Sequence, residues 1–257
     1  MSLIRMDFFS QALNMHTAAN IILPLPKAGP AEDIPVLWLL HGMGDDQSSW
    51  IRKSALERYA LSAGLAVVMP DGCLSTYCNM VHGQRYKDYI ADELPRIMAA
   101  CFPLSDQREK NFIAGCSMGG YGALKIGLAH PERYAAVGCF SAANIEYRPE
   151  SRFVQQTLRR NYGDEDGVDR CDEEMEANAR AAAAGEYSLR LWHGWGTEDR
   201  LRPNAEISRT FFESIASPAL EYHWELLPGG HDWALWDGMI EKFIAWLDLP
   251  APKEALF

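Results

Sequence analysis

From residue 36 onward, short apolar runs alternate along the chain with segments of helical hydrophobic period. The first run, Val36–Leu40, has five consecutive apolar residues, which is typical of a strand buried on both faces of a sheet. Such alternation predicts parallel strands joined by right-handed helical crossovers, hence an α/β fold with helices on both faces of a mainly parallel sheet. The predicted strands are 36–40, 65–69, 112–116, 134–141, 189–193 and 221–226, and the predicted helices are 50–63, 86–101, 118–129, 205–215 and 233–247.

Two segments depart from this alternation. Residues 4–9 and 15–25 are extended runs without helical period, and they predict an antiparallel strand pair that opens the sheet. Residues 149–185 have a helical pattern but carry eight acidic residues between Asp164 and Glu176, which repel one another and need water. We therefore predict one domain over residues 1–257, with a small solvated helical insertion at about 149–185.

The charge balance is acidic. Lys and Arg total 24 against 35 Asp and Glu, and the formal net charge of −11 argues against a nucleic-acid or anionic-membrane surface. No apolar stretch is long enough to span a membrane, and polar residues interrupt the first 26 residues too often for a secretory signal. We therefore expect a cytoplasmic protein. Six dispersed cysteines predict reduced thiols, and no His/Cys spacing indicates a metal site.

A GxSxG pentapeptide lies between a predicted strand and a predicted helix. It reads Gly115-Cys116-Ser117-Met118-Gly119. This setting is the one that a nucleophile elbow requires, because a serine in a strained turn brings the residues two before and two after it close together, where a Cβ would clash. The alternative is a tight turn whose serine only caps the following helix.

A serine nucleophile needs a base and an acid that orients the base. In this chain order the acid should follow the serine and the histidine should come last. Asp199 follows the strand that begins at residue 189, and His231 lies on a loop between the last strand and the last helix. Glu198 is a second candidate acid. The alternatives are helix-capping roles for Asp199 or Asp232 and a structural role for His231.

Acyl transfer also needs hydrogen-bond donors for the oxyanion. The backbone N–H groups of Met118 and of Met43, in the glycine-rich loop after the first parallel strand, are the candidates, although that loop could be only a turn. Trp50, His82 and Tyr86 are predicted to border the substrate pocket, or else to pack in the ordinary way.

Four segments together resemble a known family: LLHGMGDD with SSW, REKNFIAGCSMGGYGALKIGLAHPERY, WGTEDRL and PGGHDWALW. They resemble the esterase D-type serine esterases, most closely the bacterial tributyrin esterases, over residues 35–247. The resemblance implies an α/β-hydrolase fold without a large lid, no cofactor, and hydrolysis of esters with short acyl chains. It also implies a homo-oligomer, either a dimer or a tetramer. Cys116, where the group usually has leucine, and the acidic insertion depart from the pattern.

Carried over onto this sequence, the family pattern makes Ser117 the nucleophile, Asp199 the acid and His231 the base. The oxyanion hole is then formed by the N–H groups of Met43 and Met118. Cys116 precedes the elbow at the end of a buried strand, and we interpret it as core packing rather than as a nucleophile.

The sequence thus predicts a serine carboxylesterase that hydrolyses short-chain acyl esters through an acyl-enzyme, with a small-molecule ester as its partner. Within the enzymes, the alternatives are a thioesterase similar to S-formylglutathione hydrolases, a feruloyl or acetyl esterase, and acyl transfer to a sugar. A non-catalytic binding protein with a hydrolase fold is the distant alternative.

Overall fold

The computed structural model describes residues 1–25, 32–142 and 151–250. Its strands form one sheet. They are β1 (Ser2–Ser10), β2 (Met15–Leu23), β3 (Val36–Leu40), β4 (Ala66–Pro70), β5 (Asn111–Cys116), β6 (Ala136–Phe140), β7 (Leu189–Gly196) and β8 (Leu220–Leu227). The helices are α1 (Ser49–Lys53), α2 (Leu56–Ser62), α3 (Tyr86–Asp88), α4 (Leu94–Cys101), α5 (Met118–Ala129), α6 (Arg152–Tyr162), α7 (Glu165–Ala184), α8 (Arg202–Ile215) and α9 (Trp233–Trp246).

The eight strands lie in the order β1-β2-β4-β3-β5-β6-β7-β8. From β4 to β8 all neighbours are parallel, whereas β2 pairs antiparallel with both β1 and β4. The mainly parallel sheet and the opening antiparallel pair are therefore confirmed. Because the crossovers carry β3 to β8 in one direction, the loops at their carboxyl ends meet at one edge of the sheet, where ligands bind in open α/β sheets.

Apolar clusters cover both faces of the sheet. One contains side chains of α1, α2 and α9, for example Trp50, Leu56 and Phe243. The other contains side chains of α4, α5, α7 and α8, for example Met98 and Phe212. The central strands are buried along their whole length, which explains their uninterrupted apolar runs.

The segment predicted as one helix over 86–101 is interrupted by a π-helical turn, Tyr89–Glu93. That turn brings the Glu93 carboxylate to the turn between β1 and β2, where it accepts hydrogen bonds from the N–H groups of Gln11 and Ala12, at 2.7 and 3.1 Å, and from the Ser10 hydroxyl. Burial acts to raise the pKa of Glu93, but these hydrogen bonds lower it overall. The helical segment thus anchors the first hairpin.

The insertion consists of α6 and α7; residues 149 and 150, where it was predicted to begin, lie outside the described residues. Among the described carboxylates of α7, Asp166, Glu173 and Glu174 are exposed, as predicted, whereas Asp169 and Glu176 are half-buried. Asp172 is the exception: it is buried and accepts a hydrogen bond of 2.6 Å from the Tyr121 hydroxyl of α5. One face of α7 is therefore packed against the body of the protein rather than solvated, with Met175 and Ala179 in the core.

All six cysteines lie within the described ranges and are free thiols, as predicted. No helix in those ranges is long and apolar enough to cross a membrane. A cluster of three or more metal-binding side chains is also absent from the described part of the chain.

Candidate active site

Ser117 occupies the turn between β5 and α5. Its backbone is left-handed, with φ 52° and ψ −119°, a conformation that is strained for a residue with a side chain. A Cβ on Gly115 would lie 2.4 Å from the carbonyl carbon of Gly119, and one on Gly119 would lie 2.4 Å from the carbonyl oxygen of Leu40. The glycines at both positions are therefore sterically required, as the pentapeptide predicts.

His231 and Asp199 reach Ser117 from two other loops at the same edge of the sheet. The Nε2 atom of His231 lies 3.0 Å from the Oγ of Ser117, and its Nδ1 atom lies 2.9 and 3.2 Å from the two carboxylate oxygens of Asp199. Because a carboxylate can only accept, Nδ1 carries the proton and Nε2 is free to accept one from the serine hydroxyl. The structure thus brings the three predicted residues into one hydrogen-bonded chain.

The electrostatics of Asp199 keep its carboxylate charged. The side chain is fully buried, and this burial acts to raise its pKa. The hydrogen bonds from His231 and from the backbone N–H of Leu201, at 2.9 Å, outweigh burial and lower the pKa of Asp199 below its ordinary value. The charged acid therefore holds the histidine in one tautomer throughout the neutral pH range.

The loop that carries Met43 is fixed by His41. The Nε2 atom of His41 accepts a hydrogen bond from the Gly72 N–H at 2.8 Å. The proton of the His41 ring therefore lies on Nδ1, which donates to the Gly42 carbonyl at 2.8 Å. The Tyr77 hydroxyl donates to the His41 carbonyl at 3.0 Å.

The second candidate donor for the oxyanion is the N–H group of Met118. This residue is the first of α5, where N–H groups have no partner within the helix. Met43 and Met118 both border the cavity beside Ser117.

A cavity of about 310 Å³ opens over Ser117 and His231. The insertion supplies much of its wall, with Phe153, Val154, Leu158 and Tyr162 of α6 and Val168 and Asp172 of α7. Most of the remaining lining is apolar or comes from the loops after strands: Gly42, Met43, Asp45, Thr76, Met118, Tyr121, Arg200, Leu201 and Trp236.

Trp50, His82 and Tyr86 are not among the described residues that line this cavity, so the prediction for these three disagrees with the structure. Trp50 is buried against Trp233, and its indole N–H donates to the Leu40 carbonyl at 3.1 Å. Tyr86 is buried in the core beside α4. His82 is exposed, on a loop whose backbone bonds to α6. Trp50 and Tyr86 follow strands in the sequence, but their side chains pack in the core, and His82 lies on the surface.

Sequence reasoning missed the wall residues of the insertion. A sequence signal was present, because Val154, Leu158 and Tyr162 are spaced four apart and so share one helix face.

The surroundings of Cys116 agree with its interpretation as a core residue. It is buried in the apolar cluster under α9, and burial raises the pKa of its thiol far above the ordinary value.

A family model described as "Putative esterase" matches residues 10–247. The chain belongs to this esterase family. The esterase is 26% identical over 265 residues to an acetyl esterase of Caldicellulosiruptor saccharolyticus, a match that covers 96% of the chain and 98% of the relative. Among solved structures it is similar to the substrate-bound fluorophosphonate-binding serine hydrolase F of Staphylococcus aureus, with 30% identity, a TM-score of 0.83, and 96% and 98% of the two chains covered.

The S-formylglutathione hydrolase of the same organism is similar to the esterase as well, with 30% identity, a TM-score of 0.81, and again 96% and 98% of the two chains covered. These relatives confirm the α/β-hydrolase fold and the family-level resemblance. The esterase is a serine carboxylic-ester hydrolase.

Proposed function

We propose that the esterase hydrolyses small esters with short acyl chains, with Ser117 as nucleophile, His231 as general base and Asp199 as the orienting acid. The observation that carries this proposal is the continuous chain of hydrogen bonds from Asp199 through His231 to the Ser117 hydroxyl, which ends at an apolar cavity. The buried carboxylate and the single tautomer of His231 are what a serine nucleophile requires.

In the proposed reaction, the Oγ of Ser117 attacks the ester carbonyl while the Nε2 of His231 takes the hydroxyl proton. The backbone N–H groups of Met43 and Met118 stabilise the oxyanion. The imidazolium then gives its proton to the leaving alcohol, and the acyl group stays on the serine. Water enters, loses a proton to His231 and attacks the acyl-enzyme. The imidazolium then returns this proton to the Oγ of Ser117 as the acyl–oxygen bond breaks, so that the carboxylic acid product leaves and the Ser117 hydroxyl is restored.

The size of the cavity supports a small substrate. Its volume of about 310 Å³ lies at the low end of the range of roughly 300–1,000 Å³ for ligand pockets. The similarity to an acetyl esterase points the same way. A cavity of this size therefore favours esters with short acyl chains, such as tributyrin, over esters with long acyl chains.

A thioester is the second candidate substrate, supported by the 30% identity to an S-formylglutathione hydrolase. The same hydrogen-bonded chain serves both reactions, because both begin with attack on an acyl carbonyl. The ratio of kcat/KM for S-formylglutathione to kcat/KM for a butyryl ester distinguishes the two candidates. A much larger kcat/KM for S-formylglutathione would identify the thioester as the preferred substrate.

We also propose a cytoplasmic location. The free thiols support it, since Cys73 and Cys101 are exposed and would be prone to oxidation outside a reducing compartment. The partner implied by the site is a small-molecule ester.

The decisive test compares the wild type with Ser117→Ala on p-nitrophenyl esters from acetate to laurate. We expect activity to peak at short chains and kcat to fall by about four to six powers of ten in the variant, because the nucleophile is lost. Ser62→Ala, on the exposed surface of α2, is the matched control and should keep full activity. Fluorophosphonate labelling should disappear only in Ser117→Ala. Near-normal turnover by that variant would refute the nucleophile, and no activity on any ester would shift the proposal to the thioester.

A further inference from the structure

The cavity over Ser117 has a deeply buried carboxylate in its wall. Two carboxylates are among the described residues that line it, those of Asp45 and Asp172. Asp45 forms an ion pair with Lys53, whose ammonium lies 2.5 Å from it. Asp172 is only 8% exposed, although the other described acids of α7 are half-buried or exposed. The insertion therefore places a carboxylate in a wall that its own side chains otherwise make largely apolar.

Tyr121 of α5 positions this carboxylate relative to Ser117. The Tyr121 hydroxyl donates to Oδ1 of Asp172 at 2.6 Å. Tyr121 follows Ser117 by four residues, and its N–H donates to the Ser117 carbonyl at 3.1 Å. The two residues therefore share one face of the helix, about 6 Å apart along its axis, and the tyrosine leans back towards the serine because helical side chains tilt towards the amino end. A group joined to Ser117 through a few carbon atoms can thus reach Asp172.

The contact with Tyr121 does not by itself require a carboxylate at position 172. A neutral amide oxygen would accept the same hydrogen bond without the cost of taking an ionised group out of water. A carboxylate accepts up to four hydrogen bonds, so Asp172 can bind a donor inside the cavity in addition to Tyr121. An acceptor of this kind in a substrate cavity selects substrates that carry a hydrogen-bond donor.

The leaving alcohol and the acyl group occupy different parts of the cavity. In the proposed reaction His231 protonates the alcohol, so the alcohol lies beside His231 and Trp236, whose rings are in edge-to-face contact at 5.1 Å. The acyl group then lies along the wall formed by α5, α6 and α7, which includes Asp172, Leu158 and Val168. A hydroxyl suits this wall better than an ammonium group, because it loses less hydration when its carbon chain packs against apolar side chains.

We propose that Asp172 is a specificity-determining residue that binds a hydroxyl on the acyl group, so that short hydroxyacyl esters are the preferred substrates of the esterase. This inference rests on the proposed function, since it concerns the acyl group of the ester that Ser117 attacks. Asp172 accepts the substrate hydroxyl, Tyr121 holds the carboxylate in place, and the apolar side chains of the insertion contact the carbon chain.

A matched pair of esters tests this assignment. Ethyl β-hydroxybutyrate and ethyl isovalerate have nearly the same size and differ by a hydroxyl in place of a methyl group. Acid release in a pH-stat gives kcat/KM for each, with ethyl acetate as the reference substrate. We expect the wild type to prefer the hydroxy ester by about tenfold or more, because a site that hydrogen-bonds a substrate hydroxyl rejects the analogue that lacks it.

Two substitutions remove the carboxylate. Asp172→Leu should reverse the preference in favour of ethyl isovalerate. Asp172→Asn keeps an acceptor for Tyr121 and should lower the preference about threefold or more, because a hydrogen bond to a neutral group is weaker than one to a carboxylate. Glu173→Asn, at the adjacent exposed position of α7, is the matched control and should keep the wild-type preference. Fluorophosphonate labelling and melting temperature report how much of each variant is folded, and the ratio of the two substrates does not depend on that amount.

The possible outcomes separate this inference from the proposed function. Hydrolysis of ethyl acetate by the wild type without a preference for the hydroxy ester would overturn the role of Asp172 and leave the proposed function intact. A preference that both Asp172 variants retain would do the same. A hydroxyl preference confined to the alcohol, seen with hydroxyethyl acetate against propyl acetate, would overturn the acyl-side position. If the wild type hydrolysed none of these esters, the proposed function itself would fail, and this inference with it.

Discussion

The strained, left-handed backbone of Ser117 is held in place by close packing at Gly115 and Gly119. At both glycines the neighbouring backbone leaves no room for a methyl group. Strain of this kind persists only where the surroundings over-determine the conformation. The glycines therefore fix the position of Ser117, although neither is among the described residues that line the cavity.

Gly115→Ala should destabilise the protein by about 3 kcal/mol, because the added Cβ would lie 2.4 Å from backbone atoms that cannot yield cheaply. It should also cost about a hundredfold in kcat, since a displaced Ser117 loses its alignment with His231. Chemical denaturation and ester kinetics measure the two effects. Gly238→Ala on α9 is the control: a Cβ there meets no atom within 4 Å among the described residues, and the helix should gain about 0.5–1 kcal/mol. Equal stabilities of the two variants would contradict the steric argument.

The sequence predicted the proposed catalytic residues but not the pocket. Ser117, Asp199 and His231 each follow a strand, so chain order and strand periodicity were enough to predict that they lie at the same edge of the sheet. Trp50 and Tyr86 also follow strands, yet the directions of their side chains depend on distant packing partners that no local pattern specifies.

At the scale of elements, the insertion has two environments. α6 and α7 face the cavity with apolar side chains and face solvent with charged ones, so they close one side of the site without interrupting the sheet. The hydrogen bond between Tyr121 and Asp172 ties α7 to α5, the helix that begins directly after Ser117. The cavity over Ser117 is thus shaped by an element outside the central α/β alternation.

We therefore expect Val168 of α7 to set acyl-chain length. Val168→Phe would fill part of the cavity and should lower kcat/KM for hexanoate relative to acetate by about tenfold or more, since one methylene is worth roughly 10–200-fold in such pockets. Val168→Ala should shift the preference towards longer chains. Val81→Phe is the matched control, because Val81 is exposed and does not line the active-site cavity. The chain-length profile of p-nitrophenyl esters reads out both changes, and an unaltered profile in Val168→Phe would place the acyl group elsewhere.

The elements themselves could largely be predicted from sequence. Continuous apolar runs mark strands buried on both faces, and the central strands have this environment. The burial of Asp172 could not be foreseen, because its partner Tyr121 lies 51 residues away and only the packing of α7 on α5 brings them together. The π-helical turn at Tyr89–Glu93 leaves the apolar period of its segment almost unchanged, so that segment reads as one helix.

At the scale of the whole molecule, one sheet runs from β1 to β8 with a core on each face. We propose on this ground that the chain folds as one domain. The core includes an unusual member, His193 of β7, which is fully buried among aromatic side chains. Its Nε2 accepts the Trp195 indole N–H at 2.8 Å, so Nδ1 carries the proton and donates to the Tyr222 hydroxyl at 3.1 Å.

This histidine should make global stability depend on pH. Burial lowers the pKa of His193 to about 3, whereas in the unfolded chain it titrates near 6.5. Below 6.5 the unfolded state binds a proton that the folded state does not, so stability falls as pH falls, by about 2–3 kcal/mol between pH 6.5 and 4.5. His193→Gln keeps an acceptor for Trp195 but does not titrate. Urea unfolding across this range should give a shallower slope for the variant, and parallel slopes would refute the assignment.

The anchoring of the first hairpin by Glu93 has a consequence during synthesis. β1 and β2 leave the ribosome before the other strands of the sheet. The carboxylate that binds their turn follows 81 to 83 residues later, and β4, which pairs with β2, begins only at Ala66. An isolated two-stranded hairpin is marginal in water. The nascent hairpin, with its apolar residues, therefore waits without Glu93 and β4 while the chain grows, and this is when a chaperone would have most to bind.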